Sequence, residues 1–121
     1  MRVRGVRGAT TTSSNTQEEI LQASQELLTE IVNRNGIEID DVASIFFSTT
    51  PDLNAEFPAV AARKIGFTNA ALECLVETNV KGSLQKCIRI LMHINTNLSQ
   101  QEIQHVYLRD AKSLRVDLSE K

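Results

Sequence analysis

The chain has 121 residues, 13 basic against 15 acidic side chains and a formal charge of -2, with 41% hydrophobic and 23% charged residues. This is the composition of one globular domain, large enough to bury a core without disulfide or metal staples, and it lacks the basic excess that nucleic-acid binding needs. No apolar run approaches the ~20 residues of a membrane span, and Met1–Gly8 lacks the apolar stretch of a signal peptide, so a single cytoplasmic domain over residues 1–121 is expected.

In chain order, Arg2–Ala9 reads as a strand. Thr16 and Glu19 form a capping-box pattern, and Ile20, Leu27, Leu28, Ile31 and Val32 recur at helical spacing, which predicts a helix over Gln17–Arg34 that stops at Asn35-Gly36. Val42–Thr49 is a second strand. Its Ile45-Phe46-Phe47 run is of the kind buried on both faces. Pro58 opens a short helix ending near Gly66, with Ala59, Ala62 and Ile65 inward. Ala70–Val76 is a third strand. Leu84, Cys87, Ile88 and Leu91 suggest a third helix over Ser83–Asn95. Ser99 with Glu102 repeats the capping box before a last strand at Gln104–Leu108, and residues 113–121 are expected to form a mobile tail. This alternation predicts one small sheet with helices packed on it. A sheet face left uncovered and apolar would favour self-association.

The two cysteines, Cys74 and Cys87, and the two histidines, His93 and His105, are too few and too scattered for a zinc-finger pattern, so neither metal nor cofactor is expected. Phosphate-loop, dinucleotide and nucleophile-elbow spacings are missing. Arginine is more informative, because eight of the 13 basic residues are Arg. Arg2 and Arg4 fall on one side of the first strand, whereas Arg7 shares the side of Val3. There it either meets an anion or reaches solvent through a bulge at Gly5 or Gly8. Arg89, set among Cys87, Ile88, Ile90 and Leu91, either snorkels at the edge of the apolar stripe or binds a carboxylate or developing oxyanion. Glu77 at a strand end reads as solvated, Arg63 and Arg115 as surface charges, Tyr107 as packing, and Cys74 as a buried thiol; each becomes a ligand contact only in combination. Several arginines, one glutamate and one tyrosine without a nucleophile suit a multiply charged small acid.

Longer stretches are more specific. Val-Arg-Gly-Val-Arg-Gly-Ala-Thr-Thr near the start, Ser-Thr-Thr-Pro-Asp-Leu-Asn-Ala-Glu-Phe-Pro-Ala in the middle, Lys-Cys-Ile-Arg-Ile-Leu-Met, His-Val-Tyr-Leu-Arg-Asp-Ala and Leu-Arg-Val-Asp-Leu resemble, in order, the monofunctional trimeric chorismate mutases. The resemblance spans essentially the whole chain. It implies an α+β subunit with a small mixed sheet, a homotrimer forming a pseudo-α/β barrel, and clefts between subunits that rearrange chorismate to prephenate. It also implies roles. Arg7, Glu77, Arg89 and Tyr107 stand at the central positions with Cys74 beside them; Phe57, Ala59 and Arg63 come from the adjacent subunit; Leu114 and Arg115 belong to a segment folding over the ligand. Val60 stands where relatives carry a basic residue, Glu73 where they carry a small or hydroxyl residue, and Lys64–Thr68 is about one residue short. Two other classes use similar groups: a non-catalytic binding module for a dicarboxylate metabolite, and a small trimeric imine or enamine deaminase. The second needs a positioned water and a proton-handling group that the sequence does not offer.

Overall fold

The computed structural model describes residues 1–114; Arg115 and most of the expected tail lie outside the described residues. Five strands, β1 (Arg2–Thr11), β2 (Val42–Thr49), β3 (Ala71–Val76), β4 (Cys87–Thr96) and β5 (Val106–Tyr107), form one sheet in the order β3-β2-β4-β1-β5. The pairs β1/β5 and β2/β3 are parallel, and β4 runs antiparallel between β1 and β2. Two helices, α1 (Gln17–Asn35) and α2 (Ala59–Lys64), provide the crossovers from β1 to β2 and from β2 to β3. The expected small α+β domain with a mixed sheet is therefore what folds.

One expected element has a different structure. Residues 87–96 form strand β4 where a third helix was anticipated. Ile88, Ile90, Met92 and Ile94 are all buried at alternate positions, and three of the four are β-branched, so a period of two governs this stretch. The Leu84, Cys87, Ile88, Leu91 spacing that suggests a helix mixes residues from opposite sheet faces.

Helix α1 starts as its sequence dictates, with the Thr16 hydroxyl accepting the Glu19 N–H. The Glu19 carboxylate, however, turns to the Ser13 N–H and hydroxyl, so only half of the capping box forms. At the other end Gly36 adopts φ 58°, a left-handed cap that a residue with a Cβ rarely takes. Buried Asn35 donates to the Ile31 and Gln104 carbonyls and accepts from the Gln104 N–H, tying the helix end to the approach to β5. The Ser99–Glu102 capping box is complete and opens a 3₁₀ turn at Gln100–Glu102.

Leu27, Leu28 and Ile31 of α1 and Ala59 and Ala62 of α2 join Val6, Ile45, Phe47, Ile90, Met92 and Ile94 in the main core. All of these sheet residues lie on one face. The other face carries Val3, Arg7, Phe46, Arg89, Leu91 and His93, so Phe46 is only half-buried and the Ile45-Phe46-Phe47 run is covered fully on one side alone. On this open face Val3 is 58% and Leu91 39% exposed. The helices press closely on the covered side at Gly8, where an added Cβ would stand 2.8 Å from Ile31 Cδ1, 3.2 Å from Leu27 Cδ1 and 3.3 Å from the Val106 carbonyl oxygen. Gly8→Ala should therefore force Ile31 and Leu27 to repack in the closed core and lower stability by about 1–3 kcal/mol. Urea denaturation checks this, and an unchanged midpoint would show that these side chains yield without cost.

Candidate active site

The antiparallel register of β1 and β4 sets Arg89 opposite Ala9 and Arg7 opposite Leu91. Arg7 and Arg89 are thus diagonal neighbours on the open face, a relation that places backbones ~7–8 Å apart, within reach of long side chains. On the far side of β1, β5 sets Tyr107 next to Ala9. A small residue, Ala9, accordingly lies between Arg89 and Tyr107, with Arg7 two residues along. The Arg7 side chain is exposed, while its N–H donates to His105 Nδ1 at 2.9 Å.

Glu77 follows the last residue of β3, and its N–H donates to the Thr49 carbonyl at 2.9 Å. This anchors it over the end of β2, from where its carboxylate reaches Arg89: Nε donates to Oε1 at 3.0 Å. The Glu77 side chain is 12% exposed and that of Arg89 36%. A guanidinium carries five N–H donors in a rigid fork. With Nε–H turned on Glu77, the four Nη–H donors remain for an acceptor on the open face.

The chain after β5 packs along β1 beside these residues. Leu108 N–H donates to the Ala9 carbonyl at 2.9 Å, Arg109 Nη1 to the Thr11 carbonyl at 3.0 Å, and Asp110 N–H to Thr11 Oγ1 at 3.2 Å. Arg109 takes φ 52° to make this bend. A 3₁₀ turn over Arg109–Ser113 then brings Ala111 and Leu114 onto Ala9, Cys87 and Tyr107 in a second apolar cluster. Burial pushes the Cys87 thiol up to about 11, partly opposed by the neighbouring Arg89 charge. It is a packing residue, not a nucleophile.

The remaining candidates lie across the sheet. Helix α2 packs on the covered side, where Ala59 is buried in the core, while Phe57 and Arg63 are exposed. Cys74 pairs with Phe47 and packs against this same core. It therefore belongs with Ala59, and within one chain the sheet separates its side chain from Arg7 and Arg89. Glu73 is exposed and alternates to the opposite side from Cys74, as expected. The chain thus presents two half-sets: Arg7, Glu77, Arg89, Tyr107 and Leu114 on one side, and Phe57, Ala59, Arg63 and Cys74 on the other.

Comparison with known proteins decides the family. The family model "Chorismate mutase type I" matches residues 3–118. The chorismate mutase AroH of Bacillus subtilis is 45% identical over 120 residues, covering 98% of this chain and 94% of that protein. The chorismate mutase AroH of Thermus thermophilus is 45% identical over 117 residues, covering 96% of each. A solved chorismate mutase from Clostridium thermocellum superposes with a TM-score of 0.89 at 52% identity, covering 90% of this chain and 97% of that one. The chain belongs to the type I chorismate mutase family.

For a chorismate mutase of this type, the half-buried Val60 leaves α2 with Arg63 and Lys64 in its last turn as its cationic residues. The sequence reading passes over Asp52, which accepts from the Thr50 hydroxyl and the Lys86 N–H at the foot of β4, where Thr50 Oγ1 accepts the Cys87 N–H. Their signal is the Thr-Thr-Pro-Asp turn, visible in the sequence but not attributable to β4 while that segment reads as a helix.

Cys87 gives this fold a specific pH dependence. The folded-state thiol is pushed up to about 11 from an ordinary 9.0, so between the two the unfolded chain loses a proton that the folded chain retains. The contribution of Cys87 to stability is complete below about pH 9 and disappears as pH rises toward 11. The urea midpoint should fall more steeply over this interval in the wild type than in Cys87→Ala. Parallel slopes would refute the assignment.

Proposed function

We propose that the protein is an isomerase that converts chorismate to prephenate by a Claisen rearrangement. It acts in the cytoplasm, at the branch of aromatic amino acid biosynthesis leading to phenylalanine and tyrosine, as a homotrimer with clefts shared between subunits. The observation that carries this reading is the Arg89–Glu77 pair, fixed at 3.0 Å on a sheet face that also presents Arg7 and, beside Ala9, Tyr107.

The rearrangement breaks one C–O bond as one C–C bond forms, and no proton moves. Negative charge gathers on the ether oxygen and positive charge spreads over the ring. Arg89, its Nε held by Glu77, directs its Nη donors at the ether oxygen and a carboxylate. Arg7 and Tyr107 hold the side-chain carboxylate. Glu77 accepts from the ring hydroxyl and opposes the positive charge of the ring. Leu114 and Arg115 belong to the segment that folds over the ligand. Phe57, Ala59, Arg63 and Cys74 come from the adjacent subunit: Arg63 gathers the dianion with Arg115, and Cys74 adds a weak donor or packing contact.

Magnitudes favour the fixed cation as the main term. A charge ~3 Å from a developing oxyanion supplies several kcal/mol at an effective dielectric of ~20. Enzymes commonly need ~8 kcal/mol or more. Selection of the folded near-attack conformer by two clamped carboxylates adds to the cation. Two features support a shared cleft: the partly apolar open face, and the sheet standing between the two half-sets.

Loss of chorismate absorbance on adding the protein tests the reaction; unchanged absorbance with retained binding would leave a metabolite-binding module. Replacing Arg89 by citrulline keeps the shape and removes the charge, and should lower kcat by ~10²–10³ or more while KM moves far less. A change in KM alone would remove the role given to Arg89. Arg89→Ala and Arg63→Ala, each weakly active alone, should regain activity when unfolded together and refolded as mixed trimers, because some clefts then receive both intact halves. Absence of complementation, or an active monomer by light scattering, would overturn the shared cleft.

A further inference from the structure

The end of β2 and the turn after it bond to the backbone of Glu77 and of Cys87, two residues before Arg89. Thr49 offers its carbonyl to the Glu77 N–H at 2.9 Å. Thr50 donates its N–H to the Cys87 carbonyl at 3.1 Å, and its Oγ1 accepts the Cys87 N–H at 3.0 Å. The Thr50 hydroxyl in turn donates to the Asp52 carboxylate. That carboxylate also accepts the Lys86 N–H, at 3.0 Å to Oδ2 and 3.2 Å to Oδ1.

Lys86 is the unusual residue here. Its φ is +50°, a left-handed conformation unfavourable for a side chain with a Cβ. Such a conformation persists only where its surroundings hold it. Two groups do so: Asp52 takes the N–H, and the Thr12 N–H donates to the Lys86 carbonyl at 2.9 Å. An ionised acceptor makes the stronger kind of hydrogen bond. Lys86 immediately precedes β4, three residues before Arg89, so its dihedral sets the direction in which β4 enters between β1 and β2.

We propose that Asp52 is a positioning residue for the rearrangement: by fixing Lys86 in the left-handed conformation it gives β4, whose register its buried isoleucines set, the entry direction that brings the Arg89 guanidinium onto Glu77. Asp52 has no hydrogen bond to Arg89 or Glu77 among the described residues, so it acts through the chain and not by contact with them. The inference rests on the proposed reaction for its kinetic consequence, but not for its structural one.

The test is rescue by glycine. Asp52→Ala should lower kcat by about 10–100-fold, as small misplacements of catalytic groups do, with a much smaller change in KM. Lys86→Gly alone should stay within about twofold of wild type, because glycine takes positive φ freely. In Asp52→Ala/Lys86→Gly most of the lost kcat should return. The Arg89 Nε–H resonance in ¹⁵N-arginine spectra, which reports the bond to Glu77 whether or not the protein turns over chorismate, should move in Asp52→Ala and return in the double variant. If Asp52→Ala does not fold by circular dichroism, Asp52→Asn replaces it. The amide keeps one oxygen for Thr50 and the Lys86 N–H to share, and replaces the nearer, Oδ2 acceptor of that N–H by an NH₂. Should that fail also, Lys86→Gly must restore folding together with the resonance. Wild-type kcat in the folded single variant, or no recovery on adding Lys86→Gly, overturns the proposal. An inactive wild type with the expected resonance shifts would count against the reaction and not against the positioning.

Discussion

The antiparallel insertion of β4 between β1 and β2 is the constraint from which the rest of the molecule follows. It gives the sheet its mixed character, and it aligns Ile88, Ile90, Met92 and Ile94 beneath the helices. The same alternation turns Arg89 to the opposite side, opposite Ala9 and Ser48. A shift of one residue would send the guanidinium into the core and the isoleucines into solvent, so hydrophobic burial itself keeps the charge where it is. The same strand thus serves packing on one face and electrostatics on the other.

The open face has a charge arrangement that needs little motion. A carboxylate pinned through its own backbone holds one edge of a guanidinium, and a short strand with a 3₁₀ turn behind it fixes the tyrosine. Fixed dipoles and charges stabilise a transition state because they are oriented before the reaction begins. This economy suits a reaction in which the substrate supplies both the electrons and the leaving bond, and it explains why a domain this small suffices.

The sequence disclosed the fold unevenly. Helix α1 was legible to within one residue because Thr16 and Gly36 mark its ends and its apolar residues keep one period throughout. Strand β2 was legible at both ends. Strand β4 was not, since Cys-Ile-Arg-Ile-Leu-Met-His-Ile satisfies helical and strand periods alike, and only pairing with β1 and β2 chooses between them. The resemblance placed Arg89 among the site positions even though its local structure was misread, because a family's word order survives an error about geometry. What neither route conveyed was the side of the sheet on which Cys74 falls; that depends on register with Phe47, a tertiary fact. Asp52 was hidden for a related reason, since its partner, Lys86, lies far along the chain.

The opposed placement of the two thiols has one more implication. Cys74 sits on β3 against the helix-side core, whereas Cys87 begins β4 on the other side, with β2 running between them. Two strand spacings amount to roughly 9–10 Å, beyond the Cα separation a disulfide can bridge. An oxidant therefore finds no disulfide to close within the folded subunit.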